Sequence, residues 1–226
     1  QHQLLGFLEE NAEQFRFCVL QIALHALPRN AGGIVEQRRF DDDRLCRSPR
    51  DCCQALDDRG RSLRQFTGSD LENVYRGLSH PDIIPYYGVS YNSLEATKAQ
   101  MEFFSDLEKN GTGIWWAICS PDNSLFYGAG GLNSLSREHR KAEIGFWLMP
   151  EHWGKGIMQE AMPLIWNYGF DQLRLHRIEG IVETENSNCK KAMDKLGFVH
   201  EGTMRECEVK NGRLISLDIY AKFRNS

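Results

Sequence analysis

The stretch from Glu143 to Ala161 carries the residue pattern with the clearest chemical use. A strand-like run, Glu143 to Leu148, leads through a short loop with Trp153 into Gly154-Lys155-Gly156 and then an amphipathic segment. In that segment Ile157, Ala161, Leu164, Ile165 and Tyr168 share one helical face. Glycines at a helix start let the backbone come close to an anion. The first helical N–H groups, unpaired within the helix, can point at a phosphate with the helix dipole behind them. Lys155 adds positive charge. The pattern is not a P-loop, which needs Gly-Lys-Ser/Thr after four spacers, nor a dinucleotide fingerprint, which needs a third glycine. No Asp/Glu/His cluster has metal spacing, so no metal is expected. No nucleophile–base set for a covalent intermediate stands out either.

Those residues need a scaffold, and the pattern from Ser62 onward supplies one. A short strand is expected at Ser62 to Gln65, a helix capped by Asp70 running to about Leu78, and a second helix from Ser93 to Lys109 with Ser93 as N-cap. Between them Ser79 to Tyr91, with two prolines, Gly88 and three tyrosines, reads as a loop at the substrate end. Ile114 to Cys119 and Leu125 to Leu132 read as strands joined across Pro121-Asp122-Asn123. On the first of these, Trp115 and Trp116 point to opposite sides, and core packing is the default for both. Further strands are expected at Glu143 to Leu148 and Arg177 to Thr184, and helices at Ile157 to Phe170 and Asn188 to Leu196. Pro163 falls inside the first of these helices, which predicts a later start or a bend. Two final strands flank Lys210-Asn211-Gly212-Arg213, where Asn-Gly signals a tight hairpin. The order predicts an α/β domain with a mixed, largely antiparallel sheet flanked by helices.

The first 61 residues differ in kind. They hold nine arginines, no lysine and four of the seven cysteines, whereas the remainder holds nine arginines and nine lysines. Leu4 to Leu27 fits one helix ended by Pro28, and Arg38 to Arg61 is a charge-dense, linker-like stretch. The expected division is therefore an N-terminal extension over 1–61 and the α/β domain over 62–226. An odd number of cysteines without Cys-x-x-Cys spacing fits reduced thiols in a cytoplasmic protein. The longest early apolar run, Phe17 to Leu27, is too short to span a bilayer. The net charge of −4 among 226 residues gives no support for a nucleic-acid partner and suits a cationic or amine substrate.

Glu151-His-Trp-Gly-Lys-Gly156 resembles the pyrophosphate loop of GNAT-type acetyltransferases, written Arg/Gln-x-x-Gly-x-Gly/Ala. Ala142-Glu-Ile-Gly-Phe-Trp147 resembles that family's central strand, Glu185-Asn186 through Cys189 its next helix start, and Lys195-Leu-Gly-Phe198 that helix's end. The nearest branch acetylates the N-terminal amines of ribosomal proteins, with polyamine and antibiotic acetyltransferases beside it. The resemblance implies acetyl-CoA as co-substrate and two neighbouring strands splayed into a V. The pantetheine arm would pair with the backbone of Phe146, Trp147 and Leu148, as an added strand would. The pyrophosphate would sit near Trp153 on the N–H groups of Gly154, Lys155, Gly156, Ile157, Met158 and Gln159, and Asn186 would contact the cofactor. One departure is Glu151, where Arg or Gln is usual; it is expected to point away from the phosphates.

The resemblance also implies acid and base. In the ribosomal branch a glutamate on the penultimate strand takes the amine proton and a serine at the helix start protonates the thiolate. Those positions hold Glu208 and Cys189 here. A thiol can still donate a proton, but Cys189 also suits simple packing. Glu206, two residues from Glu208, is expected on the same strand face, and Glu143 stands near where other members place a base. The acceptor reading is a primary amine, either a protein N-terminus or a small amine such as a polyamine. A homodimer is admitted, and a silent acyl-CoA-binding module is the competing class.

Overall fold

The computed structural model describes residues 55–56 and 62–224; the expected Leu4 to Leu27 helix lies outside them. Its strands are β1 (Ala55–Leu56), β2 (Ser62–Arg64), β3 (Ile114–Cys119), β4 (Phe126–Ser136), β5 (Lys141–Leu148), β6 (Arg177–Glu183), β7 (Val199–Lys210) and β8 (Arg213–Phe223). Its helices are α1 (Leu71–Leu78), α2 (Leu94–Asn110), α3 (Ile157–Asp171) and α4 (Ser187–Lys195). The strands form one sheet in the order β1-β2-β3-β4-β5-β6-β8-β7. Every pairing is antiparallel except β5 with β6. The two-residue β1 pairs with β2, so the sheet begins before Ser62.

Side-chain alternation along the strands divides the core into two layers. Trp147, on one face of β5, packs with Val74 and Leu78 of α1 and Phe104 and Leu107 of α2. Ile144 and Leu148, on the other face, join Ile157, Ala161 and Ile165 of α3 and Met193 of α4. Trp115 and Trp116 divide between these layers in the same way.

Local chemistry explains the element ends. The Ser93 hydroxyl accepts from the N–H of Ala96 at 3.2 Å, and Gly111, at φ 66°, closes α2 in the left-handed conformation. The β7–β8 hairpin turns on Asn211 and Gly212, at φ 51° and 73°, the two positive angles a type I′ turn requires. Asp70 stands at the expected N-cap of α1, but its side chain bonds no N–H of that helix. Its buried carboxylate instead takes both Arg64 guanidinium nitrogens at 2.7 Å and the Thr67 N–H at 2.8 Å, tying β2 to the start of α1. Helix α3 starts at Ile157, not later, and carries Pro163 within it.

Candidate active site

Between β5 and β6 the backbones pair at Lys141↔Arg177, Ala142↔Ile178 and Glu143↔Glu179, and there the pairing ends. β5 runs on to Leu148 with no strand partner on that side, and β6 runs on to Glu183. The strands part as a V. A cleft of about 1090 Å³ opens there, lined on the β5 side by Glu143, Phe146, Trp147 and Leu148. Asp82, Ile83, Tyr86 and Tyr87, from the loop expected at the substrate end, line it too.

At the far end of β5 the glycine loop closes the cleft. Gly154 and Gly156 sit at φ 72° and 77°. A Cβ added to Gly154 would meet nothing within 4 Å, so left-handed backbone, not crowding, requires glycine there. Gly156 is the N-cap of α3 and supplies no side-chain cap; its carbonyl accepts from the Gln159 N–H at 3.0 Å, which leaves the first two helical N–H groups, of Ile157 and Met158, uncapped by a side chain. Trp153 Nε1 donates to the Leu148 carbonyl at 2.8 Å and ties the loop to the strand. Trp153, Gly154, Gly156, Ile157, Met158 and Gln159 line the cleft, whereas Lys155 is exposed and does not. Glu151 reaches Arg76 at 3.2 Å, away from the helix start, as its charge demands.

The cleft wall is acidic from the vertex outward. Glu143, Glu179, Glu183 and Glu208 all line the cleft. Glu179 is paired with Arg177 at 2.7 Å and Lys141 at 3.2 Å, and Glu183 with Lys210. The carboxylates of Glu143 and Glu208 make no side-chain hydrogen bond or ion pair among the described residues. Burial pushes the Glu143 carboxyl up to about 7, and the charges of Glu179 and Glu208 add to this against Lys141. Burial and Glu183 likewise raise Glu208, against Lys210.

Glu206 does not join them, contrary to strict alternation. Between Met204↔Leu217 and Glu208↔Ile215 three residues of β7 stand opposite one of β8. In this bulge Glu206 adopts φ 47°, and its N–H donates to the Ser216 hydroxyl at 2.9 Å. It is exposed and outside the cleft wall.

Asn186 and Cys189 line the opposite wall. The Asn186 side chain caps α4, accepting from the Cys189 N–H at 3.0 Å. Burial pushes the Cys189 thiol up to about 12.

Comparison with known proteins gives this arrangement a family. The sequence profile of the acetyltransferase (GNAT) domain matches residues 62–199. The uncharacterised N-acetyltransferase YoaA of Bacillus subtilis (strain 168) is 33% identical over 160 residues, covering 70% of this chain and 90% of that protein. The chain belongs to the GNAT acetyltransferases. Among solved structures, the spermidine N-acetyltransferase of Vibrio cholerae with CoA and spermine superposes with TM-score 0.65 at 23% identity, covering 73% of this chain and 96% of that one. The ribosomal-protein-S5-alanine acetyltransferase of Vibrio fischeri gives 0.65 at 20%, covering 74% and 94%. At these identities the two structures speak for the fold.

Within this acetyltransferase, sequence reasoning missed Glu179 and Glu183. Their signal was present: Arg177, Glu179, Ile181 and Glu183 alternate on one face of β6, as strand residues lining a cleft do. Among the described residues no group of three or more His, Cys, Asp or Glu is placed to hold a metal, and no helix is long and apolar enough to cross a membrane.

Proposed function

We propose that this GNAT enzyme moves an acetyl group from acetyl-CoA to a primary amine, with a protein N-terminus as the favoured acceptor and Glu143 as the base. The observation that carries the reading is Glu143 itself: an unpaired carboxyl at the vertex of the V, raised to about 7. The cleft fits the co-substrate. The loop from Gly154 to Met158 presents N–H groups to a pyrophosphate with Gln159 beside them, and the open edge of Phe146 to Leu148 offers backbone to an amide-bearing arm. Acetyl-CoA supplies the activated acetyl thioester.

The chain's own groups handle the protons. An amine arrives as ammonium, drawn by a wall whose carboxylates outnumber its cations, and cannot attack until it loses a proton. Passing that proton from an α-ammonium, pKa about 7.8, to a group near 7 is uphill by about 1 kcal/mol. From an ε-ammonium, near 10.4, the same transfer is uphill by about 4.6 kcal/mol. That difference favours a protein N-terminus. Glu208 lies close enough to raise Glu143 and is the alternative base. Cys189 is the proposed donor to the leaving thiolate. Its thiol is protonated at neutral pH, and the burial that makes it a weak acid also raises the proton affinity of a sulfur departing beside it.

A thiol-release assay with acetyl-CoA tests the assignment, using peptides with free N-termini, a peptide whose only amine is a lysine side chain, and spermidine. Faster turnover of the N-terminal peptides is expected. Turnover of spermidine alone overturns the acceptor, and no turnover with any amine overturns the enzymatic reading.

A further inference from the structure

We propose that Asn133 is a positioning residue for Glu143: its amide Nδ2 donates to the ionised carboxylate, directly or through one water, and holds it toward the acceptor amine. The inference rests on the reading of Glu143 as base and adds the group that governs it.

Asn133 on β4 is the register partner of Glu143 on β5, so the two side chains stand opposite each other on one face of the sheet. Asn133 is only 2% exposed. Its Oδ1 accepts from the indole Nε1 of Trp115, which fixes the amide so that the nitrogen remains as the outward donor. That nitrogen is buried and has no partner. Buried donors without partners are rare in folded proteins, and each calls for an acceptor.

Two glycines build the arrangement. A Cβ at Gly131 would lie 2.5 Å from Trp115 Cγ, and one at Gly145 would lie 2.8 Å from Trp115 Cζ2, so only glycines seat the indole. The same Cβ position at Gly145 is 3.6 Å from Asn133 Nδ2, which sets the donor over the β5 row that carries Glu143 and Gly145. Immediately afterwards Ser134 turns to φ 50° and the β4–β5 register slips until Ser136↔Lys141. A bulge so placed interrupts the ladder just after the Asn133 rung, before it resumes at Ser136↔Lys141.

The charged groups facing Glu143 leave this role open. Glu179 and Glu208 oppose its ionisation from β6 and β7, and Lys141, which favours it, is shared with Glu179. A neutral amide donor stabilises the carboxylate without adding a cation that would repel an incoming ammonium.

The test is a carbon-detected NMR titration of the Glu143 carboxyl in the full chain, assigned with Glu143→Gln and read in the parent, Asn133→Leu and Trp115→Phe. Asn133→Leu should raise the midpoint by about one pH unit and carry the acid limb of kcat/KM with it, leaving KM for acetyl-CoA unchanged. Trp115→Phe keeps the ring but releases the amide, and should shift the midpoint less, in the same direction. Coincident midpoints in the parent and a folded Asn133→Leu overturn the proposal; if that variant does not fold, an unmoved midpoint in Trp115→Phe does so. Full activity in Glu143→Gln would instead remove the base assignment while leaving the titration result standing.

Discussion

Glu143 and Glu179 form the last backbone pair between β5 and β6, and the cleft opens beyond them. The carboxylates thus meet where the sheet ceases to be continuous. Glu179 is held by Arg177 and Lys141, and Glu143 is left to titrate.

That contrast sets a pH profile. Glu143 must be ionised to accept a proton, so kcat/KM should rise with pH through about 7. Glu143→Gln should lower turnover by roughly 10²–10⁴ with little change in acetyl-CoA affinity, and remove that limb. Glu208→Gln takes away a negative neighbour, so the limb should move to lower pH while turnover largely survives. The reverse pattern, a lost limb in Glu208→Gln and a retained one in Glu143→Gln, assigns the base to Glu208.

The glycine loop predicts a different failure. Gly154 and Gly156 are both left-handed, a region that asparagine enters readily and β-branched residues do not. Gly154→Asn, in open space, should bind acetyl-CoA nearly as well as the parent by calorimetry. Gly156→Val should lose most of that affinity while the fold persists, because the branched side chain strains the helix entry. Unaltered affinity in Gly156→Val removes the cofactor assignment.

How much of this was legible beforehand depended on range. Asn211-Gly212, Ser93 and Gly154-x-Gly156 act through their own backbone, and each does locally what its residue type demands. Glu206 and Glu208 looked like neighbours on one face because alternation assumes an unbroken strand; the β7 bulge breaks it, and nothing in residues 204–208 announces the break. Asp70 holds the N-cap position its type suggested, but its carboxylate turns to Arg64, which belongs to a strand six residues earlier. The acidic wall draws on β5, β6 and β7, so its four members come to line one cleft only when the chain folds.

The Arg64–Asp70 pair makes a stability prediction. Burial pulls the Asp70 carboxyl up, but the bonds from Arg64 and Thr67 outweigh it and hold it below the ordinary range. A carboxyl depressed in the fold contributes stability above its unfolded pKa of about 3.9 and loses it as pH falls through the folded value. Asp70→Asn should therefore cost about 3 kcal/mol at neutral pH, the low end for a broken buried pair because Arg64 keeps some water. Its deficit in Tm should shrink as pH falls below the unfolded value and through the lower folded one.

The extension is predicted to be dispensable for chemistry. A chain lacking residues 1–54 keeps β1, whose pairing with β2 extends the sheet, and should retain kcat in the thiol-release assay. A folded but inactive product of that truncation would show that the removed segment contributes to the site.

Cys189 separates proton donor from packing residue. With its thiol at about 12 it carries almost no thiolate at pH 7.5, so mass-spectrometric mapping after brief alkylation should find the exposed Cys207 modified well before it. Acid chemistry needs only the proton. Cys189→Ser keeps a donor of similar size and should be tolerated, whereas Cys189→Ala keeps the helix and removes the donor. If the thiol protonates the leaving group, Cys189→Ala should lower kcat by roughly tenfold or more with unchanged affinity for acetyl-CoA, and acceptors should not differ in the size of the loss. Full turnover in Cys189→Ala returns the residue to packing against the core around α3 and α4 and leaves the proton to water.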